Sequence, residues 1–332
     1  VLRLDSNGIR KHLTTFNSLG NNPGAQGLIN GITSDRMAST YFATHYVAQA
    51  RFDVLGNYIR NKNAIVKLND KGEFKWAIEA PLADFSDMIT IDNRIFAVGI
   101  NAWKGCEFQT PDGLYRYVPS INNKGEAFIM EMNEDGKILN LNAFGTVGSS
   151  SSNYPAKFKV KYPLVNQFFD YDTLRQNLMA RKSPSGDLLL GGLLDASTIG
   201  SSIYFKNQSL SNSLPIGTGL EKCLFISRYN LNTGFTDAVT LMSGQPEFIT
   251  DFKETSNGHF VFVGRAKNKL ITSNGTLTFP VTNSEYQFAA SFTAAGVLNW
   301  IVYADAMKFN GVGVNSDGSV SVLAAMSSNF LI

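Results

Sequence analysis

Apolar and polar residues alternate along most of the chain, in short runs that end in polar turns. The clearest example is AIVKLNDKGEFKW, from Ala64 to Trp76, where two such runs flank a polar turn that ends in glycine. Alternation with a period of two is typical of β-strands, and Asn, Asp and Gly suit a hairpin loop. The pattern therefore predicts a β-hairpin in this stretch.

Versions of this stretch return four more times, at Val1–His12, Ala127–Asn140, Leu224–Ala238 and Phe288–Trp300. Their turn glycines are Gly8, Gly72, Gly136, Gly234 and Gly296. The intervals between these glycines are nearly equal, except that the one between Gly136 and Gly234 is longer. A regular period of this kind predicts a repeat architecture. The predicted repeats are approximately 1–62, 63–125, 126–221, 222–285 and 286–332, with an insertion at approximately 145–174.

Each repeat has a second alternating segment with its own turn. These segments are Gly31–Tyr46, Asp87–Gly99, Asn177–Gly192, Phe248–Gly264 and Phe309–Ala324. Each predicts a further hairpin, so a repeat is expected to supply four strands. No segment has a sustained helical period, and helix is therefore expected to be minor.

Four-stranded units in tandem each leave a sheet face that must be buried. Stacking the sheets radially buries these faces, which is the β-propeller arrangement, whereas an open stack needs polar capping repeats. The first repeat opens on an apolar strand and the last ends on an apolar run, which favours closure into a ring. We therefore expect one all-β domain over 1–332, a five-bladed propeller of four-stranded blades with one loop insertion. Six blades is the alternative count.

The motifs also resemble a known family. Trp76 and Trp300 each stand four residues after a turn glycine, a hairpin ending in Val-Gly follows, and a glycine-phenylalanine loop such as NGTLTF (Asn274–Phe279) comes next. This order resembles the bacterial β-propeller repeats of the SBBP type, found in secreted and surface proteins, and propeller modules of tail-fibre and baseplate proteins of large phages. The resemblance implies a recognition or scaffold role, with no catalytic residues common to the family. Asn140 and Ala238 depart from it where tryptophan is expected.

Charge and apolar content exclude several partners. There are 29 Lys and Arg residues against 27 Asp and Glu residues, a net charge of +2, whereas nucleic-acid binding normally requires a clear basic face. The longest apolar run, Leu188–Leu194, is far short of the roughly 20 residues that span a bilayer, so no membrane insertion is expected.

Cys106 and Cys223 cannot form a disulfide framework, and two free, partly buried thiols are favoured over one disulfide. The chain opens directly on a strand pattern without a signal peptide, as expected of a fragment or processed product.

The sequence offers no recognisable catalytic or metal-binding set. His12, His45 and His259 are not in metal-spaced pairs and do not neighbour a nucleophile motif. Asp5–Gly8 and Asn133–Gly136 resemble the start of a calcium loop but lack its later ligands, and turn chemistry accounts for them. We therefore predict no enzyme activity, no cofactor and no metal. Trp76 and Trp300 are expected to pack between blades, because they recur at one position.

Aromatic residues in the segments that do not repeat are the best binding candidates. One inter-repeat segment contains Trp103, Tyr115 and Tyr117, and the insertion contains Tyr154, Phe168, Phe169 and Tyr171. Exposed aromatic rings bind sugars and proteins by stacking and area burial. For Phe168 and Phe169, attachment of the insertion to the propeller is the favoured alternative.

The sequence thus favours a non-enzymatic recognition or structural module of a phage tail fibre or bacterial surface protein. Its expected location is extracellular, on a virion or a cell surface, and its expected partner is a cell-surface glycan or protein. Assembly as a homo-oligomer, or with other virion proteins, fits the same role. The alternative is a carbohydrate-active hydrolase with carboxylates at the propeller axis. A purely structural link within an oligomer is a third hypothesis.

Overall fold

The computed structural model describes much of the chain as antiparallel β-sheet. The described residues are 2–4, 10–13, 17–18, 27–46, 50–51, 58–59, 63–80, 83–101, 106–117, 126–147, 178–195, 202–205, 208–210, 222–281, 284–305 and 307–326. Within these ranges every regular element is a β-strand, so the predicted all-β class is confirmed. The chain divides into two compact units, unit 1 (1–143) and unit 2 (144–332).

Fifteen of the described strands begin in unit 1, and the last of them ends in unit 2. They are β1 (Leu2–Leu4), β2 (Arg10–Leu13), β3 (Asn17–Ser18), β4 (Gly27–Ser34), β5 (Thr40–Tyr46), β6 (Ala50–Arg51), β7 (Tyr58–Ile59), β8 (Asn63–Leu68), β9 (Phe74–Glu79), β10 (Ala83–Ile91), β11 (Arg94–Asn101), β12 (Cys106–Thr110), β13 (Gly113–Tyr117), β14 (Glu126–Met132) and β15 (Ile138–Val147).

The remaining described strands lie in unit 2. They are β16 (Leu178–Lys182), β17 (Leu188–Asp195), β18 (Ser202–Phe205), β19 (Gln208–Leu210), β20 (Lys222–Asn230), β21 (Gly234–Glu254), β22 (Phe260–Thr272), β23 (Gly275–Thr278), β24 (Glu285–Phe292), β25 (Leu298–Ala304), β26 (Met307–Val314) and β27 (Val320–Met326). Residues 148–177, which include most of the predicted insertion, lie outside the described residues.

The strands form two types of hairpin, distinguished by where their pairing register shifts. The first-type hairpins, β1–β2, β8–β9, β14–β15, β20–β21 and β24–β25, correspond to the stretch around Ala64–Trp76. In four of them a register shift lies beside the turn, as between Lys67 and Leu68 or between Ser291 and Phe292. The second-type hairpins are β4–β5, β10–β11, β16–β17, β21–β22 and β26–β27. In four of these a shift lies far from the turn, as between Phe85 and Asp87. Both predicted kinds of hairpin are thus confirmed in the described residues.

One turn design closes six of these hairpins. The N–H of Asn69 donates to the carbonyl of Glu73 at 2.9 Å, and the N–H of Gly72 donates to the carbonyl of Asn69 at 3.0 Å. The same pair of bonds recurs at turns that begin with Asn133, Ser183, Thr255, Thr293 and Asn315. The glycine has a positive φ, 81° at Gly72, which glycine adopts at no steric cost. This geometry explains why Asn, Ser or Thr recurs three residues before glycine along the chain.

Four sheets in the described part of the chain combine hairpins from neighbouring sequence repeats. The second strand of a second-type hairpin pairs with the first strand of the next first-type hairpin, in the pairs β5–β8, β11–β14, β17–β20 and β22–β24. The four-stranded sheet is therefore offset by one hairpin from the repeat in the sequence.

In unit 1 two such sheets stack face to face. The sheet β4-β5-β8-β9 packs against β10-β11-β14-β15 around a core that includes Tyr41, Ile65 and Phe128, all fully buried. Because side chains alternate along a strand, Phe42 and Val66 face the other way and are buried in a second cluster. The sheet β4-β5-β8-β9 is therefore buried on both faces.

Unit 2 repeats this arrangement with three sheets. The long strand β21 pairs with β20 over its first part and with β22 over its second, so it leaves one sheet and enters the next. Phe260 and Phe262 of β22 lie in the core shared with the preceding sheet, whereas Val261 and Val263 pack towards β26–β27. No helix in the described part of the chain is both long and apolar enough to cross a membrane.

Candidate functional site

The structure describes the side chain of one predicted binding residue, Tyr115. Tyr117 ends strand β13, and its side chain is not described. The other predicted binding residues lie outside the described residues; they are Trp103, Tyr154, Phe168, Phe169 and Tyr171. The candidate binding surface is therefore built from the hairpin β12–β13, which carries Tyr115.

A threonine fixes the turn of this hairpin. The hydroxyl of Thr110 lies 2.6 Å from the carbonyl oxygen of Gly113 and 2.7 Å from a carboxylate oxygen of Asp112. Gly113 has a φ of 138°. β12 continues the sheet of unit 1 at its outer edge, where Gln109 pairs with Glu79 of β9. We call a hairpin of this kind, which extends the outer edge of a sheet, an added hairpin.

Tyr115 is half-buried against the core of unit 1. It lies opposite Phe108 in the ladder, with ring centroids 6.4 Å apart, and Phe108 is fully buried among Phe85 and Phe128. The exposed positions on the hairpin include Glu107, Gln109 and Leu114, of which Leu114 is 48% exposed. Sequence reasoning named Tyr115 but missed Leu114, because the alternation of β13 does not reveal which of its two faces meets the core.

The described residues of unit 2 contain two more added hairpins. One is β18–β19, which joins the last residues of β15. The other is formed by the end of β22 with β23, where Thr272 donates to the carbonyl of Gly275 as Thr110 does to that of Gly113. Leu277 of this hairpin packs on the core, as Tyr115 does. The spacing Thr-x-x-Gly is shared by 110–113 and 272–275, but it also occurs in the sheet-hairpin turns 255–258 and 293–296, so it does not by itself identify an added hairpin.

The two tryptophans at equivalent first-type positions have different environments. The indole N–H of Trp76 donates to the carbonyl of Glu134 at 3.0 Å, and its ring packs on the core of unit 1, 5.9 Å from that of Tyr41. Packing between sheets is thus confirmed for Trp76. Trp300 is 38% exposed, so the same prediction is wrong for Trp300. The surrounding sheet, rather than the hairpin, decides whether this position is covered.

Buried carboxylates in the described residues are paired with cations. Glu131 accepts from Arg94 at 2.6 Å, Asp251 accepts from Arg181 at 2.7 Å, and Arg228 bonds Glu254 at 2.5 Å. Glu247 and Glu285 share Arg265 and Lys267, and hydrogen bonding to Glu247 is the main cause that raises the pKa of Lys267. These ion pairs join neighbouring strands and sheets. Glu247 and Glu285 are brought close to each other in this way, and both carboxylates are neutralised by the cations that they share.

At one position in the sheets, the acidic and the basic member of a cross-strand ion pair are interchanged between two equivalent pairs of strands. Arg94 and Glu131 stand beside the pair Ile95–Met132, and Asp187 and Arg228 stand beside the equivalent pair Leu188–Tyr229. Burial lowers the pKa of Arg228, but hydrogen bonding and attraction to Glu254 outweigh it and raise the pKa overall. A charge pair whose members can trade places serves cross-strand attraction rather than chemistry at a fixed group.

The histidine, cysteine and turn residues have structural surroundings. His259 is half-exposed in the turn after Gly258, with its ring 3.3 Å from the amide nitrogen of Asn299. Cys223 is buried, and the side chain of Cys106 is not described. Asn133–Gly136 forms a hairpin turn, as predicted, while Asp5–Gly8 lies outside the described residues. Among the described side chains, no group of three or more His, Cys, Asp or Glu could hold a metal ion.

No protein-family model matches the chain, and no curated protein sequence matches it. Solved structures do match it: a xylan β-1,4-xylosidase from Bacillus halodurans C-125 at 9% identity and TM-score 0.31, and the Dos1 propeller at 8% and 0.26. A third match is the extracellular domain of a one-component system from B. thetaiotaomicron, at 8% and 0.19. The alignments cover 91%, 95% and 90% of this chain and 56%, 92% and 51% of the others. The chain thus spans about half the length of the xylosidase. At these TM-scores the similarities do not establish a common fold or activity.

Proposed function

We propose that this chain is a non-enzymatic recognition or structural module, built as a five-bladed β-propeller of four-stranded blades. It presents loops and added hairpins for binding a cell-surface glycan or protein. Its proposed setting is a phage tail fibre or a bacterial surface protein, and its proposed location is the virion or the cell surface. The SBBP-type resemblance in the sequence supports this setting.

The stacking of successive sheets supports the propeller. Within each unit, each sheet packs on the next one along the chain, and alternate residues of one strand enter different cores. The strands that begin neighbouring sheets also approach closely. In unit 1, for example, the hydroxyl of Thr33 on β4 lies 3.1 Å from that of Thr90 on β10. Radial packing around an axis has both features.

The added hairpins carry the recognition proposal. Six of the hairpins within the sheets share one turn design. The added hairpins instead have short two-residue turns, at Thr110–Gly113, Phe205–Gln208 and Thr272–Gly275, and they extend the outer edges of the sheets. Binding residues are commonly carried by connecting segments that a rigid scaffold positions. The ion-paired state of the buried carboxylates gives the alternative, a carbohydrate hydrolase, no support.

The experiment is binding to whole bacterial cells and to a glycan array. Trp103→Ala, Tyr117→Ala and Tyr115→Ala are compared with the unmodified chain. Loss of an aromatic binding anchor is expected to weaken binding about tenfold or more, since hot-spot residues contribute about 2 kcal/mol or more. Binding that survives all three substitutions would remove this surface from the proposal.

Tyr115→Ala needs a packing control, because Tyr115 also contacts Phe108. Phe108→Leu disturbs the same core without changing the exposed surface, and Leu114→Ala changes the exposed surface without removing an aromatic ring. A recognition role predicts that Tyr115→Ala weakens binding more than Phe108→Leu at matched thermal stability.

A further inference from the structure

Asparagine is followed directly by glycine at several places in the chain. An asparagine in this dipeptide loses ammonia readily, because glycine has no Cβ to obstruct attack of its backbone nitrogen on the asparagine side chain. A folded protein slows the reaction wherever it holds the asparagine side chain or the following backbone in place. The described pairs are Asn30–Gly31, Asn257–Gly258, Asn274–Gly275 and Asn310–Gly311, and a further pair, Asn7–Gly8, lies outside the described residues.

Two of these asparagines are exposed in turns but are held by hydrogen bonds. The side-chain oxygen of Asn257 accepts from the hydroxyl of Thr255, and the N–H of Gly258 donates to the carbonyl of Thr255 at 3.0 Å. The side-chain amide of Asn274 donates to the carbonyl of Leu298 at 3.1 Å. Attack by the following nitrogen requires the asparagine side chain to leave these partners first.

The other two asparagines occupy the same position in different second-type hairpins. Asn30 in β4 and Asn310 in β26 are each the extra residue where the pairing register shifts. A bulge leaves its extra residue unpaired and disrupts the ladder at that point. The backbone setting of the two residues is therefore alike.

Their side chains have different surroundings. Asn30 is half-buried, and its side-chain amide donates to the carbonyl of Phe85 at 2.8 Å. Asn310 is exposed, and its side chain makes no hydrogen bond to the described part of the chain. Among the four described pairs, Asn310–Gly311 is thus the one whose asparagine side chain is not held.

We propose that Asn310 is a site of spontaneous deamidation. The backbone nitrogen of Gly311 attacks Cγ of Asn310, the bond from Cγ to Nδ2 breaks, and Nδ2 leaves as ammonia with the proton of the Gly311 nitrogen. The resulting succinimide adds water at one of its two carbonyl groups and opens to aspartate or isoaspartate. Water is the other reactant, and no enzyme takes part.

Either product changes the bulge of β26. Both products add a negative charge two residues before Val312, whose N–H donates to a carboxylate oxygen of Asp251 at 3.2 Å. Isoaspartate also lengthens the main chain between Phe309 and Val312 by one CH2 group. Phe309 and Val312 lie in one buried cluster with Val261, and a packed cluster does not absorb such a change without displacement. We therefore expect the modified chain to unfold at a lower temperature.

The test is peptide mapping by mass spectrometry of the full chain after incubation at neutral and at mildly alkaline pH. Loss of asparagine is measured separately at Asn30, Asn257, Asn274 and Asn310. In the folded chain, Asn310 is expected to react about fivefold or more faster than each of the others, the factor that corresponds to the hydrogen bond that they must break. In the urea-unfolded chain the four rates are expected to be similar.

Two variants test the chemistry at this pair. Gly311→Ala adds a methyl group that hinders the attack, and the methyl fits, since the nearest atom to a Cβ there is an oxygen of Asp251 at 3.7 Å. It is expected to slow the reaction at Asn310 and to leave the rate at Asn274 unchanged. Asn310→Gln keeps a side-chain amide but requires a larger ring, so it is expected to stay unmodified and to keep its unfolding temperature during the same incubation.

Three results would overturn the proposal. Equal rates at Asn310 and Asn30 in the folded chain would mean that both side chains are held equally firmly. A slower rate at Asn310 than at Asn257 and Asn274 would show that the bulge protects its extra residue. An unchanged rate at Asn310 in the Gly311→Ala variant would assign the loss of ammonia to direct hydrolysis instead of attack by the following nitrogen.

Discussion

At the scale of single residues, the environments of Trp76 and Trp300 depend on contacts that are distant in sequence. Trp76 is covered because Glu134 and Gly136 of the next first-type hairpin reach it. The sequence predicted both indoles to be packed, since they recur at one position. It could not distinguish them, because recurrence specifies the hairpin and not the sheet that faces it.

The close contact at Gly136 leads to a prediction. A Cβ atom there would lie 3.0 Å from the Trp76 ring and 3.0 Å from Pro111, and the φ of Gly136 is 81°. Gly136→Ala is therefore expected to lower the free energy of unfolding for two separate reasons. The left-handed backbone costs about 1–2 kcal/mol, and overpacking costs about 1–3 kcal/mol more. Urea denaturation monitored by tryptophan emission measures the sum of these two costs as a decrease in the free energy of unfolding.

Gly186→Ala is the control for the backbone contribution. Gly186 has a φ of 92° in the same turn design, but a Cβ atom there meets nothing within 4 Å. The free energy of unfolding of this variant should therefore fall only by the cost of placing alanine in the left-handed backbone conformation. If Gly136→Ala and Gly186→Ala lose the same stability, the tight contact between the Gly136 turn and Trp76 is refuted.

At the scale of elements, alternation and turn residues predicted both hairpin types, and the structure confirms them. The same signals did not predict that a sheet joins hairpins from two sequence repeats. An alternation with a period of two shows which residues of a strand share a face, but it does not show which other strand pairs with that strand. Tyr115 illustrates the same limit at the candidate binding surface. Its aromatic character was visible in the sequence, but its contact with Phe108 follows from the cross-strand register of β12–β13.

Contact between neighbouring sheets in unit 2 gives a prediction at this scale. A Cβ atom on Gly191 of β17 would lie 2.8 Å from the Phe252 ring. That ring is stacked on Phe262 at 5.0 Å and lies beneath the guanidinium of Arg181, so it cannot easily withdraw. Gly191→Ala is expected to destabilise the protein by about 1–3 kcal/mol in chemical denaturation.

A double substitution tests that cause. Phe252→Leu removes the ring that Gly191→Ala displaces, so the two changes together should cost less than the sum of their separate effects. Gly313→Ala is the control, because Gly313 is also a strand glycine and the nearest atom to its Cβ would be 3.9 Å away. Additive losses would mean that Gly191 and Phe252 do not interact through this contact.

At the scale of the whole molecule, the sequence predicted an all-β chain of stacked sheets, and the described residues agree. The segments proposed to bind are the ones that do not repeat. Periodicity carries no information about them, and Trp103, Tyr154 and Tyr171 also lie outside the described residues. The architecture was therefore far more predictable than the binding surface, since repeated residues reinforce one interpretation and unique residues do not.

Net charge provides the last prediction, because it separates recognition by aromatic stacking from recognition by charge. The chain has 29 Lys and Arg residues against 27 Asp and Glu residues. Many of the buried charges are already neutralised in ion pairs such as Arg94–Glu131 and Arg181–Asp251. Stacking of aromatic rings on a neutral sugar should be insensitive to ionic strength, so affinity for cells is expected to change by less than about twofold between about 0.05 and 0.5 M NaCl. Heparin, a polyanion, serves as the comparison ligand in the same titration. A fall of about tenfold or more in affinity for cells over this range would instead indicate an electrostatic partner and refute binding through aromatic anchors.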